Sequence, residues 1–177
     1  MRNSPSINLA IILSMLLMFS SCSSEYSRIK KTLKLFEKQE IVLPPDLFII
    51  SEGSIQQYKG PISSSNSFFV YYPSVDCSDC LASKISTLTP LYTLANENGL
   101  DLKCIISPAD GALDELVIKL SGMSIPYSLY LDSSASFSSL NPAIPPDPRF
   151  YIFCTDKSGK PFFVGNPCTN PKTYNLL

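Results

Sequence analysis

The chain has 177 residues, with 14 Lys and Arg against 15 Asp and Glu and a formal net charge of −1. Charge so nearly balanced leaves no basic footprint for nucleic acid. Histidine is absent, which removes the imidazole base of a Ser-His-Asp or Cys-His site and the commonest nitrogen ligand for a metal.

At the N-terminus Met1-Arg2-Asn3 is a short positive start, and Leu9 to Phe19 is apolar except for Ser14. Phe19-Ser20-Ser21-Cys22 then places small residues before a cysteine. The apolar stretch is short for a bilayer span, and small residues at its end suit cleavage. Residues 1–21 therefore read as a signal peptide ending in a lipobox, similar to bacterial lipoprotein signals although Phe19 stands where an aliphatic residue is usual. Cys22 is the expected lipidated first residue; an exported protein with a free thiol there is the alternative. The expected location is the cell envelope, anchored to a bacterial membrane and facing the periplasm or exterior. Residues 22–65 form an anchored N-terminal segment and 66–177 the main domain, long enough for one core.

Within that segment, Ile29, Leu33 and Phe36 at helical spacing among Arg28, Lys30, Lys31, Lys34 and Lys38 predict a short amphipathic helix with a solvated charged face. Ile41 to Leu43 and Leu47 to Ile50 flank Pro44-Pro45 and predict short strands or an extended edge, and Gly60 to Asn66 is a loop. The continuous apolar run Phe68 to Tyr72 predicts a strand buried on both faces. A helix follows, with Leu81, Ile85, Leu88, Tyr92 and Ala95 on one face, a kink at Pro90 and a stop at Gly99. Strand Leu100 to Ile106, a helix around Leu113 to Leu120, strand Tyr127 to Leu131 and a short helix at Phe137 and Leu140 come next. Arg149 to Cys154 and Phe162 to Val164 are strands around the turn Asp156-Lys157-Ser158-Gly159-Lys160. This alternation predicts an α/β fold: a mostly parallel sheet between two helical layers, closed by an antiparallel hairpin.

Directly after the first central strand stands Cys77-Ser78-Asp79-Cys80. Two thiols at this spacing can close a small disulfide, and a helix start favours the thiolate that attacks disulfides. Half of a zinc site is one alternative, but Cys104, Cys154 and Cys168 are not paired at ligand spacing. A structural staple is the other, although so small a loop gains little from closure. Cys104 and Cys154 read as small core hydrophobes, and Cys168 as a loop residue.

Strand, C-x-x-C helix and terminal hairpin preceded by Pro148 resemble the thioredoxin fold, a three-layer α/β/α sandwich with a mixed sheet. The unit from Ile125-Pro126-Tyr127 to Asn141 is similar to the insertion of TlpA-like thiol–disulfide oxidoreductases of the redoxin family. The resemblance covers about residues 66–170. It implies that Cys77 is the attacking thiolate and the more exposed of the pair, and that Cys80 resolves the mixed disulfide. It further implies that Pro148 is a cis-proline facing them, and that the main chain of Asp147 binds substrate. The tryptophan usual before the first cysteine is replaced by Asp76, and Ser78-Asp79 replaces Gly-Pro. Asp76 and Asp79, with Asp147, are then expected to raise the thiol pKa and bias the pair toward a reductant; capping or solvated carboxylates are the alternative. Expected partners are protein thiols and disulfides, an electron donor and the membrane through its lipid anchor, with no cofactor, metal or nucleic acid. A non-catalytic binding module with Cys77–Cys80 as a fixed staple is the second functional reading.

Overall fold

The computed structural model describes residues 25–60 and 65–169; the signal segment and Cys22 lie outside them. Residues 25–36 form helix α1, where the apolar spacing predicted one. A compact unit begins at Phe36. It contains β1 (Leu47–Ser51), β2 (Ser54–Gln57), β3 (Ser67–Val75), α2 (Ser78–Ser86), α3 (Thr89–Glu97), β4 (Asp101–Pro108), α4 (Leu113–Ser121), β5 (Leu129–Asp132), α5 (Phe137–Leu140), β6 (Ile152–Thr155) and β7 (Pro161–Val164).

Seven strands make one mixed sheet in the order β2-β1-β5-β4-β3-β6-β7. Strand β3 runs parallel to β4, and β4 parallel to β5. Strands β1 and β6 join antiparallel, and β7 closes the sheet as an antiparallel edge. The chain has an α/β fold built on this one mixed sheet. Strands β1 and β2 precede residue 66, where the main domain was expected to begin, and pair into the same sheet, with Leu47 and Ile50 of β1 buried.

Alternation along β3 explains the layers. Phe68 and Val70 meet Leu81 and Ile85 of α2, Leu91 and Ala95 of α3 and Leu116 and Leu120 of α4 in one core. Phe69 and Tyr71 face the other way, into Phe36, Ile105, Tyr130, Phe137 and Phe153. Phe69 stacks on Phe153 with centroids 5.0 Å apart, and Phe36 meets Phe153 edge-on at 5.1 Å. Both faces of the strand are therefore covered by apolar side chains, as its unbroken hydrophobic run requires.

Local chemistry departs from the predicted elements at four places. The helix expected to kink at Pro90 is two helices, since α2 ends at Ser86 and Pro90 sits in the first turn of α3, where its missing N–H costs nothing. Residues 41–43 form no strand. Instead the Asn141 side chain accepts from the Val42 N–H and donates to its carbonyl, both at 2.8 Å, doing for one residue what a neighbouring strand does for a ladder. Strand β2 is wholly exposed and carries no apolar alternation; the Glu52-Gly53 turn, both residues at positive φ, folds it back onto β1. Lastly, Arg149 to Tyr151 is not strand, because Pro148–Phe150 is a 3-10 turn and β6 starts at Ile152.

A buried carboxylate holds the end of β5 to α5. Asp132 is fully buried and accepts from the Ser107 hydroxyl at 2.7 Å, the Phe137 N–H at 2.8 Å and the Ser136 N–H at 3.1 Å. Replacing it with alanine strands those donors away from water. Asp132→Ala is expected to cost about 3 kcal/mol, the scale of lost charged hydrogen bonds, read as a lowered urea midpoint at unchanged slope.

Candidate functional site

Strand β3 ends in a bulge. Its register against β4 shifts between Tyr72 and Val75, and Ser74 takes φ +48° there. Bulges re-aim a strand end, and this one delivers Cys77 to the first position ahead of α2. Cys77 is extended (φ −117°, ψ 102°) and is the N-cap of that helix. Its Sγ accepts the Cys80 N–H at 3.1 Å. A sulfur atom thus occupies the position where a serine or aspartate oxygen normally satisfies one of the orphan N–H groups of a helix start.

Cys77 and Cys80 are joined as a disulfide with Cα atoms 5.3 Å apart. They open onto a cleft of about 360 Å³ that Pro148, Tyr151, Ile152 and Val75 also line. Sequence reasoning placed Pro148 opposite the thiols, and the structure brings all three to one cleft. Two expectations are corrected. The Asp147–Pro148 peptide is trans, as no cis bond occurs among the described residues. The physical reason is local: Pro148 starts a 3-10 turn, in which the Asp147 carbonyl accepts the Phe150 N–H at 2.9 Å. One lone pair of that carbonyl is therefore used inside the turn. Exposure within the pair is also reversed, Cys77 being half-buried and Cys80 exposed.

Two members of the acidic ring, Asp79 and Asp147, are paired with cations rather than aimed at the sulfurs. Asp79 turns outward to an ion pair with Lys119 of α4, its side chain 81% exposed. The hydrogen bond and charge of Lys119 hold the Asp79 carboxyl below the usual carboxylate range. Asp147 pairs with Arg149 at 2.5 Å and is lowered in the same way. Asp76 is exposed and lines the cleft. Between the cysteines, buried Ser78 donates to Glu115, also on α4. Glu115 and Lys119 lie four residues apart on one helix face. Both residues of the intervening dipeptide are thereby fastened to α4, a partner invisible in a motif read along the chain.

The other cysteines take no part. Cys104 and Cys154 are buried and unpaired, and burial pushes both thiols far above their ordinary range, leaving them without thiolate. Cys168 is exposed in the turn Pro167–Thr169. Among the described residues no cluster of three or more His, Cys, Asp or Glu is arranged to hold a metal, and no helix is long and apolar enough to cross a membrane.

No family model and no curated protein matches the chain. A solved structure to which it is similar is the solution structure of an uncharacterized thioredoxin-like protein from Porphyromonas gingivalis. That likeness stands at 20% identity over 78% of this chain and 89% of the other, with a TM-score of 0.45.

Because Lys119 offsets the Asp79 charge, Lys119→Ala is expected to make the pair more reducing, by less than about 30 mV, the shift equal to a tenfold change in equilibrium constant. Asp79→Asn in the Lys119→Ala background should restore the wild-type value, as read by equilibration against glutathione. The sign of the pH dependence follows. A carboxyl lowered in the folded state contributes its stabilisation above the unfolded value of about 3.9 and loses it as pH falls through the folded one. The α2–α4 tie should therefore survive to below pH 4 before it opens.

Proposed function

We propose that this protein is an extracytoplasmic thiol–disulfide oxidoreductase of the TlpA-like kind, lipid-anchored through Cys22, that exchanges disulfides with partner proteins through Cys77 and Cys80. The observation that carries it is the disulfide at the N-terminus of α2 with the Cys77 sulfur on the Cys80 N–H, open to an apolar cleft. A thiolate, rather than the more exposed thiol, is the nucleophile, and the helix start stabilises negative charge on Cys77.

In the reducing direction the Cys77 thiolate attacks one sulfur of a substrate disulfide. A Cys77–substrate disulfide forms, and the substrate's other sulfur leaves as a thiolate that takes a proton from water. Cys80, after losing its proton to solvent, attacks the Cys77 sulfur; the internal disulfide closes and the second substrate thiol is released. The protein dithiol has lost two electrons and the substrate disulfide has gained them. A dithiol donor restores the starting state by the reverse exchange. With Asp79 and Asp147 paired, Asp76 is the one aspartate of the three left to favour a reducing pair, so the reading is an exchanger whose direction follows its partners. The oxidising compartment beyond the membrane, which the leader and Cys22 favour, makes such a donor necessary for any reductant.

A second reading has its own observation. The trans Asp147–Pro148 bond and the Phe150 N–H already on the Asp147 carbonyl disfavour strand-like substrate pairing there. This favours a thioredoxin-fold binding module with Cys77–Cys80 as a fixed staple. The reduction potential separates the two: a working pair titrates within the range of exchange proteins, about −120 to −270 mV, and a staple lies below about −300 mV.

Cys77→Ala is expected to abolish reduction of insulin disulfides by at least a hundredfold, and Cys80→Ser to accumulate mixed disulfides that dithiothreitol releases. Full activity in Cys77→Ala would remove the assignment. For the anchor, Cys22→Ser should move the protein from the membrane to the soluble fraction, since a lost acyl chain forfeits about 0.8 kcal/mol per buried methylene. Fractionation followed by detergent partitioning reads it, and a wild-type protein that is wholly soluble would refute the anchor.

A further inference from the structure

The cleft beside the thiols is mostly apolar, and among its described lining residues Lys84 is the one cation and Asp76 the one acid. Lys84 lies on α2, four residues after Cys80 and seven after Cys77, so one helix face carries all three side chains. It is exposed. Three ion pairs occur among the described residues, Lys103–Asp101, Lys119–Asp79 and Arg149–Asp147, and none includes Lys84. Of the carboxylates around the thiols, Asp79 and Asp147 already have cationic partners, and Asp76, next to Cys77, makes no ion pair with Lys84.

Resting on the exchange reading above, we propose that Lys84 is a specificity-determining residue: the cleft takes an extended polypeptide segment bearing a carboxylate close to its reacting cysteine. Apolar walls from Val75, Tyr151 and Ile152 accept the segment's neutral side chains. The ammonium beyond Cys80 meets its acid, while Asp76 beside Cys77 disfavours a second acid at the other end. Opposite charges at opposite ends of the thiol pair therefore give the bound segment a direction as well as a preference. Cys77 then forms the mixed disulfide with the segment's cysteine, the former partner sulfur leaves as a thiol, and Cys80 releases the segment as in the general cycle.

The test uses the reduced protein and three peptides of one sequence. Each carries its cysteine as a 2-thiopyridyl disulfide, with Glu, Gln or Lys beside it, and rates are normalised to those of dithiothreitol with the same peptides. The Glu peptide is expected to react about three- to fivefold faster than the Lys peptide, the rate ratio equivalent to an exposed ion pair, and the ratio should shrink with added salt. Lys84→Ala should bring the ratio to one, Lys84→Glu should invert it and Lys84→Arg should keep it. If Lys84→Ala slows all three peptides by one factor, Lys84 acts on the thiolate and not on the substrate, and the proposal falls. A wild-type ratio of one also overturns it, and a preference equally large for glutathione disulfide would overturn its polypeptide part. A Cys77→Ala protein that still reduces insulin disulfides at the wild-type rate would instead sink the exchange reading itself, so the two failures are distinguishable.

Discussion

Everything at the thiol pair depends on where β3 ends, and where it ends depends on its being buried on both faces. Phe68 and Val70 enter one core, Phe69 and Tyr71 the other. A slip of one residue would exchange the two sets and still place apolar groups inside, so hydrophobicity alone does not fix the register. Shape does: the Phe69 ring fits between Phe153 and Phe137, and Tyr71 packs between Phe137 and Tyr151. With β3 so pinned, the bulge at Pro73 and Ser74 sets how far beyond the sheet Cys77 emerges.

The layers follow from the same strand. Helices α2, α3 and α4 all cover one face, while the other is closed by α5 and by irregular chain whose polar groups need individual partners. Asn141 supplies those of Val42 and accepts from Gln39, whose own carbonyl takes the Ala143 N–H. The turn at Asp156–Lys160 docks back through the Gly159 carbonyl onto the Ile41 N–H at 3.0 Å. A Cβ at Gly159 would sit 3.5 Å from the Ile41 carbonyl on a backbone of φ +80°, so side chains are excluded there by conformation first. Side-chain amides and one turn thus do on this face what three short helices do on the other.

What the sequence made legible was what burial periodicity and fixed-spacing chemistry encode. The strand at 68–72, the α2 and α4 apolar faces, the core roles of Cys104 and Cys154 and the hairpin turn all carry such signals. Strand β2 carries none, because an exposed edge strand specified by a Glu52-Gly53 turn needs no apolar alternation. At the site, Cys77, Cys80 and Pro148 were found from spacing and resemblance, whereas Glu115 and Lys119 were not. They stand more than thirty residues from the motif and reach it only because α4 packs beside α2 on the same sheet face. The geometry around Pro148 was misread for a related reason: resemblance transferred a conformation, but Pro145-Pro146-Asp147-Pro148 locally encodes a capped 3-10 turn, with the Asp147 carboxylate accepting the Arg149 N–H at 2.9 Å.

The electrostatics at the thiols show how linear proximity misleads. Three aspartates close to the pair in sequence or cleft suggest a field that opposes a thiolate. Folding gives Asp79 a lysine from α4 and Asp147 an arginine from its own turn, and at contact range each pair presents little net charge to a sulfur several ångströms away. Asp76 still lines the cleft, and what favours negative charge on Cys77 is the Cys80 N–H and the positive end of α2, both fixed by the backbone and neither dependent on residue choice at 78 and 79. The motif's unusual dipeptide therefore acts less on the sulfur than on the helix: Ser78 and Asp79 exchange the freedom of a helix start for two ties to α4. With the pair fastened this way, selectivity is left to the groups lining that cleft.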